Sequence, residues 1–207
     1  MFNRKIEKIL NEYYENPLNQ IVIIDGLRQI EKTFIVKKFA NENYNNVVYI
    51  NFKVDLNMKK AFEFDLNISQ IVSNLSILNS RFKFIPNETV IIFDEIQECS
   101  GARASIKPFM EDSRYDIIAI WSLLGIKGYN KNYHGGVSVG FEHIVYMTAM
   151  DFEEFLWAKG INEETLNYLY DCFKTKNRIN DAVHIAMLKY FKEYICVGGM
   201  PAVVDVF

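Results

Sequence analysis

Five short stretches of the chain are apolar at consecutive positions rather than alternate ones: QIVIID (20–25), VVYINF (47–52), TVIIFD (89–94), YDIIAIW (115–121) and HIVYMTAM (143–150). Continuous apolar character predicts strands buried on both faces. Between them the apolar residues recur at helical spacing, over 31–42 after the first run, over 56–64 and 68–79 after the second, and over 103–112 after the third. Strands alternating with helices predict an α/β fold, a parallel sheet covered by helices on its faces.

The ends of the chain follow a different rhythm. MFNRKIEKILNEYYEN reads as a charged amphipathic helix, without the apolar centre and small-residue cleavage site of a signal peptide. Five of the ten glycines fall in 125–140, which reads as a surface loop or hairpin, with His134 as a solvated loop residue. Beyond it only helical patterns remain. Asp151 with Glu154 predicts a capping box opening a helix that carries Phe152, Phe155 and Leu156 on one face. Two more helices are expected over 162–174 and 178–196. The chain stops at VGGMPAVVDVF, an apolar stretch that reads as an interrupted domain. The expected division is a nucleotide-binding domain over 1–150 and a helical region over 151–207, the start of an incomplete C-terminal domain.

Composition narrows the function classes. The 207 residues are 50% hydrophobic and 24% charged, with 16 Phe, 12 Tyr and 2 Trp, ordinary for a globular chain and wrong for a disordered one. Twenty-three basic against 26 acidic residues leave a net charge of −3, so bulk charge indicates neither nucleic acid nor an anionic membrane as partner. The longest apolar runs, Ile21 to Ile24, Val90 to Phe93 and Ile117 to Trp121, are too short to cross a bilayer. Cys99, Cys172 and Cys196 are odd in number and widely spaced, which suits a reducing, cytoplasmic compartment, and they show no zinc-ligand spacing with His134, His143 or His184.

The chemistry gathers after the first and third strands. IVIIDGLRQIEKTF runs from a buried strand into Gly26, Leu27, Arg28, Gln29, Ile30, Glu31, Lys32 and Thr33, and then into a helix. This is the position and spacing of a phosphate-binding loop, G-x-x-x-x-G-K-[ST], with Glu31 in place of the second glycine. In such a loop backbone N–H groups curl around phosphates at a helix N-terminus, the lysine reaches the β- and γ-phosphates, and the threonine hydroxyl coordinates Mg²⁺. A Lys-Thr pair alone carries no weight, since Lys174-Thr175 sits in a plain helical context; the strand before, Gly26 and the helix after give the first pair its meaning.

TVIIFDEIQ places Asp94 and Glu95 at the carboxyl end of the third strand, the Walker B arrangement, in which the aspartate holds the metal shell and the glutamate orients the attacking water. Ligands of open α/β sheets bind beyond the carboxyl ends of the strands, so the loop and the acid pair are expected to face one crevice. Ser122, just past the fourth strand, reads either as a polar sensor of the γ-phosphate or as a solvated loop serine.

The segments GLRQIEKT, VVYINF, VIIFDEIQ, SLLGI, AMDFEEFLWAKG and VGGMP, in this order and over essentially the whole chain, resemble a prokaryotic family of AAA+-class ATPases. Its members typically read GxRQxGKT, YxNF, DEIQ, GSLLGI, MxFEEFLxAxG and VGGMPE. The resemblance implies an ATP- and Mg²⁺-binding three-layer αβα domain with sheet order 5-1-4-3-2, followed by a helical or winged-helix-like part and a C-terminal domain proposed to be nuclease-like. It places the phosphate loop over residues 26–33 with Gly26, Lys32 and Thr33 at its matching positions, the metal site on Thr33 and Asp94, and the catalytic acid on Glu95.

Four positions depart from the family pattern: Glu31 for the loop glycine, Trp121 for the glycine before Ser122, Ser138 for a proline and Phe141 for a lysine. Glu31 sets a carboxylate beside the phosphates; at an effective dielectric of 20, one unit repulsion at about 5 Å is worth roughly 3 kcal/mol, about a hundredfold in affinity. Trp121 either narrows the γ-phosphate side or packs beneath the helices. Three readings follow: a competent ATPase, a nucleotide-binding or pseudo-ATPase module acting through protein contacts or self-association, and a truncated remnant. The residues favour impaired Mg-ATP binding with slow or absent hydrolysis. No arginine finger is assigned among Arg28, Arg103 and Arg114.

Overall fold

The structure, a computed structural model, describes residues 2–16, 20–63, 66–122 and 141–207. Every residue of β3 (Thr89–Asp94) is buried. It pairs in parallel with β2 (Asn46–Asn51) on one side and β4 (Asp116–Ser122) on the other. β4 pairs with β1 (Ile21–Gly26), and β1 with β5 (Glu142–Met147), all parallel. The order 2-3-4-1-5 is the expected 5-1-4-3-2 sheet read from its other edge. A continuous apolar run is what a strand covered on both faces requires, and β1, β3 and β4 have that burial.

Helices flank the first strands: α1 (Lys5–Glu15) precedes β1, α2 (Lys32–Asn43) follows it, and α3 (Ile68–Leu78) separates β2 from β3. Asn67 caps α3, accepting from the Gln70 N–H. The stretch expected as a helix over 56–64 forms instead a 3-10 segment, Leu56–Phe62. The helix expected over 103–112 is broken in two, α4 (Ser100–Ala104) and α5 (Ile106–Asp112). Pro108 is the cause: it has no N–H to offer the Ala104 carbonyl, so a continuous helix cannot bond across 104–108. β5 ends at Met147, three residues before the expected limit.

The core on one face of the sheet is aromatic. Phe93 of β3 meets Phe52, Phe62 and Phe109 with ring centroids 5.5, 5.6 and 5.8 Å away, and all four are nearly inaccessible. Ile21, Ile23, Ile71, Leu75, Ile91 and Ile106 fill the space around them.

The chain divides into two compact units, Ile9–Met147 and a second made of Met1–Lys8 with Thr148–Phe207. The second is helical: α6 (Phe152–Ala158), α7 (Glu163–Thr175), α8 (Asp181–Val197) and α9 (Pro201–Val206). Asp151 and Glu154 form the expected capping box of α6. Glu154 is buried and also pairs with Arg4, Nε to Oε1 at 3.1 Å. Met150, Phe155 and Val204 make the small core, with Phe152 and Tyr194 against it. Gly199 lies so close to Met150 that a Cβ would stand 2.0 Å from its carbonyl oxygen. The pattern expected on α8 is only partly covered; no residue of that helix is fully buried. α9 was not expected; Pro201 at its first position supplies the helical φ and lacks only an N–H that would go unbonded. The glycine-rich 125–140, with His134 and Ser138, lies outside the described residues, as does SLLGI beyond Ser122.

Truncating the Phe93 ring tests this core. Phe93→Ala is expected to destabilise the sheet unit by about 3–5 kcal/mol, read as a lowered midpoint in chemical denaturation. A loss below about 1 kcal/mol would mean that the aromatic cluster does not organise the unit.

Candidate functional site

The loop leaving β1 is shaped by its backbone. Gly26 is the last residue of the strand, and a Cβ there would stand 2.1 Å from the Met147 carbonyl oxygen of β5, so only glycine fits. Gln29 and Glu31 then take left-handed backbone conformations, φ 64° and 70°, a region that costs a side-chain-bearing residue roughly 1–2 kcal/mol. Left-handed residues alternating along a loop make the concavities that bind anions. Glu31 is the N-cap of α2, and no side chain caps that helix. The first bond of α2 runs from the Ile35 N–H to the Glu31 carbonyl. The N–H groups of Lys32, Thr33 and Phe34 therefore stand at the open, positive end of the helix.

Lys32 is buried, and its Nζ donates to the carbonyls of Gly26, at 2.7 Å, and Leu27. Burial pushes its pKa below the ordinary lysine value, while Glu95, Asp25 and Asp94 act in the opposite direction. The Thr33 hydroxyl donates to Asp94 Oδ2 at 2.9 Å, so the loop after β1 is bonded to the acid ending β3. Asp94 is buried. The same oxygen accepts from Tyr49 (2.6 Å) and Asn51 (3.2 Å), and Oδ1 accepts from the Glu95 N–H. Tyr49 is thereby held protonated, its pKa raised by burial and by the bond to Asp94.

Glu95 also has a left-handed backbone, φ 53°, at the start of the 3-10 turn Ile96–Glu98. Its Oε2 accepts from Gln97 Nε2 and lies 3.9 Å from Arg28 Nη2. A cavity of about 380 Å³ opens at this place, lined by Arg28, Gln29, Glu31, Lys32, Thr33, Phe34, Lys53, Glu95 and Ser122. The size suits a small-molecule ligand. Ser122 ends β4 in register with Gly26 and is buried.

The expected residues thus come together with some distinctions. Arg28, Gln29, Glu31, Lys32, Thr33, Glu95 and Ser122 line the cavity. Asp94 sits behind Thr33 rather than on the wall, and Gly26 and Leu27 take part through their carbonyls. The Ile30 side chain is fully buried in the core. Trp121 is not on the wall either: it packs against the hydrophobic core beneath Arg103, whose guanidinium lies 5.5 Å from the ring. Arg103 is further held by two bonds to Glu142 (2.5 and 2.8 Å), and Arg114 pairs with Asp112. Phe34 and Lys53 are new to the site, and Tyr49, Asn51 and Gln97 lie in the VVYINF and VIIFDEIQ segments of the resemblance without a role assigned from the sequence. Tyr49 and Asn51 are two apart on β2 and so share a face, and Asn51 is in register with Asp94; that spacing was the available signal.

The donor set fits an anion with a hard cation beside it. Thr33 has committed its proton to Asp94, which leaves the hydroxyl lone pairs for a cation, and the nearby N–H groups and basic side chains suit phosphate oxygens. Among the described residues no cluster of three or more His, Cys, Asp or Glu could hold a metal by itself. No helix among them is long and apolar enough to cross a membrane, and the three cysteines are free.

A family model described as an AAA domain matches residues 18–156, more than half of the chain. Among solved structures, PCH-2 of C. elegans is similar over 86% of this chain and 47% of its own length, at 11% identity and a TM-score of 0.41. ORC2 of Aeropyrum pernix, solved as ADPNP-ADP complexes, is similar over 72% of this chain and 48% of its own, at 14% identity and a TM-score of 0.46. The chain spans about half the length of these two structures. No curated protein matches it in sequence. With the matched segment carrying the five-stranded parallel sheet and its cavity, the chain belongs to the AAA domain family.

Proposed function

We propose that this chain is an AAA+-type Mg-ATP-binding domain in which Glu31 holds both affinity and hydrolysis low. The observation that carries the reading is the bond from Thr33 to Asp94, with Lys32 and Glu95 on either side of it in or beside one cavity. Five residues would then share the tasks of phosphoryl transfer. Lys32 leaves the Gly26 and Leu27 carbonyls to meet the β- and γ-phosphates. Thr33 Oγ1 and, behind it, Asp94 would hold magnesium, which supplies charge neutralisation for the phosphates. Glu95 orients the attacking water, and Ser122 faces the terminal phosphate from the end of β4.

Glu31 opposes this arrangement in two ways. Its backbone occupies the left-handed region that glycine enters without cost, and the residue lines the cavity, where its negative charge meets the phosphates. With a dielectric of about 20 and a separation of about 5 Å, the repulsion of one phosphate charge is worth about 3 kcal/mol. Lys32, the next residue, offsets part of it. The phosphate loop is therefore degenerate in charge while its shape is kept, and nucleotide binding is expected to be weak and turnover slow.

Two substitutions separate shape from charge. Glu31→Gly is expected to tighten Mg-ATP binding tenfold or more by calorimetry, and Glu31→Gln, which keeps the Cβ and removes the charge, to recover the electrostatic share of that gain. Lys32→Ala in the Glu31→Gly background is expected to abolish binding. Dissociation constants unchanged across wild type, Glu31→Gly and Glu31→Gln would remove the role given to Glu31; binding that survives Lys32→Ala would move the nucleotide elsewhere.

A further inference from the structure

One edge of the Arg28 guanidinium lacks a hydrogen-bond acceptor among the described residues. Nε and Nη2 are both buried, and neither makes a hydrogen bond among the described residues. These two nitrogens are not an arbitrary pair. They form one edge of the planar group, the side on which two parallel N–H bonds can be given to two oxygens of one carboxylate or phosphate. Buried donors without an acceptor are costly, so an arginine that lines the cavity with this edge covered yet unbonded gains by turning it onto an oxyanion that enters there.

The nearest counter-charge is Glu95, whose Oε2 lies 3.9 Å from Nη2. That separation gives Coulomb attraction without a hydrogen bond. The Glu95 carboxylate is meanwhile bonded to Gln97, which holds it away from a forked contact with the arginine. Arg28 also follows Gly26 and Leu27 at the start of the loop, while Lys32 holds the carbonyls of those two residues. One cation therefore lies near the acid and the other deep in the loop.

We propose that Arg28 is a phosphate ligand supplied by the loop itself, gripping two oxygens of the terminal phosphate through Nε and Nη2. The inference rests on the Mg-ATP reading above for the identity of the anion. It names the terminal phosphate because Arg28 neighbours Glu95, the acid assigned to water attack at that end. The incoming phosphate replaces Glu95 as the counter-charge of Arg28, so the same contact that reads a triphosphate frees the carboxylate to face water. A diphosphate, lacking that group, leaves the Arg28–Glu95 pair in place.

The test compares the full chain with Arg28→Lys, which keeps the charge and loses the fork, and with Arg28→Ala. Mg-ATP, Mg-ADP and inorganic tripolyphosphate are titrated by calorimetry, and thermal unfolding checks that each variant is folded. Arg28→Lys is expected to weaken Mg-ATP and tripolyphosphate at least about tenfold and to change Mg-ADP less than about twofold. Equal losses for ATP and ADP would make Arg28 a general loop residue and overturn the proposal, as would unchanged ATP binding in both variants. If wild type binds tripolyphosphate through Arg28 but no nucleotide, the oxyanion site stands and the ATP reading falls. If it binds neither, both fall.

Discussion

One hydrogen bond joins the two halves of the site: Thr33 Oγ1 to Asp94 Oδ2, 2.9 Å long and spanning 61 positions of sequence. The strands it connects, β1 and β3, are not neighbours; β4 lies between them in the 2-3-4-1-5 sheet. Ser122 ends that intervening strand, opposite Gly26 and inside the same cavity. Parallel strands all deliver their carboxyl ends to one edge of the sheet, so a loop after the first, an acid after the third and a serine after the fourth are brought to one crevice by topology alone. The bond then sets their spacing. It also fixes the threonine proton on the acid and turns its lone pairs outward, the polarity a hard cation needs.

The second constraint is conformational. The turn from β1 into α2 is built from left-handed residues at 29 and 31, both of which carry side chains. Glutamate at 31 meets that demand at a cost in strain and adds negative charge to a wall whose basic members are Arg28, Lys32 and Lys53. Shape and charge are thus separable in this loop: the backbone is that of a phosphate cradle, while the electrostatics, on the proposed reading, work against occupancy. On that reading Arg28 and Lys32 act against Glu31, and their balance decides how much anion the site holds.

Much of this could be read from the residues themselves. Unbroken apolar runs located all five strands, although only β1, β3 and β4 are covered on both faces and the edge strands β2 and β5 are partly exposed; Asp151 with Glu154 marked the α6 capping box because that motif is local. What could not be read depends on distant partners or on single-residue geometry. Pro108 splits the helix after β3 by removing one N–H, a local effect that the overall helical periodicity hides. Tyr49, Asn51 and Gln97 hold the acids only once register sets Asn51 beside Asp94. Trp121 and Ser122 are adjacent in sequence, yet strand alternation sends one to the core and the other to the cavity, which separates two readings left open by the sequence.

The central claim is that phosphate binds where the loop of β1 meets the acids of β3. Amide hydrogen exchange with and without excess Mg-ATP reads that claim directly and needs no substitution. The account predicts slowed exchange confined to the amides of residues 27–34 and of the Asp94–Gln97 turn. Unchanged exchange in both segments at saturating nucleotide, or protection concentrated in another part of the chain, would contradict it.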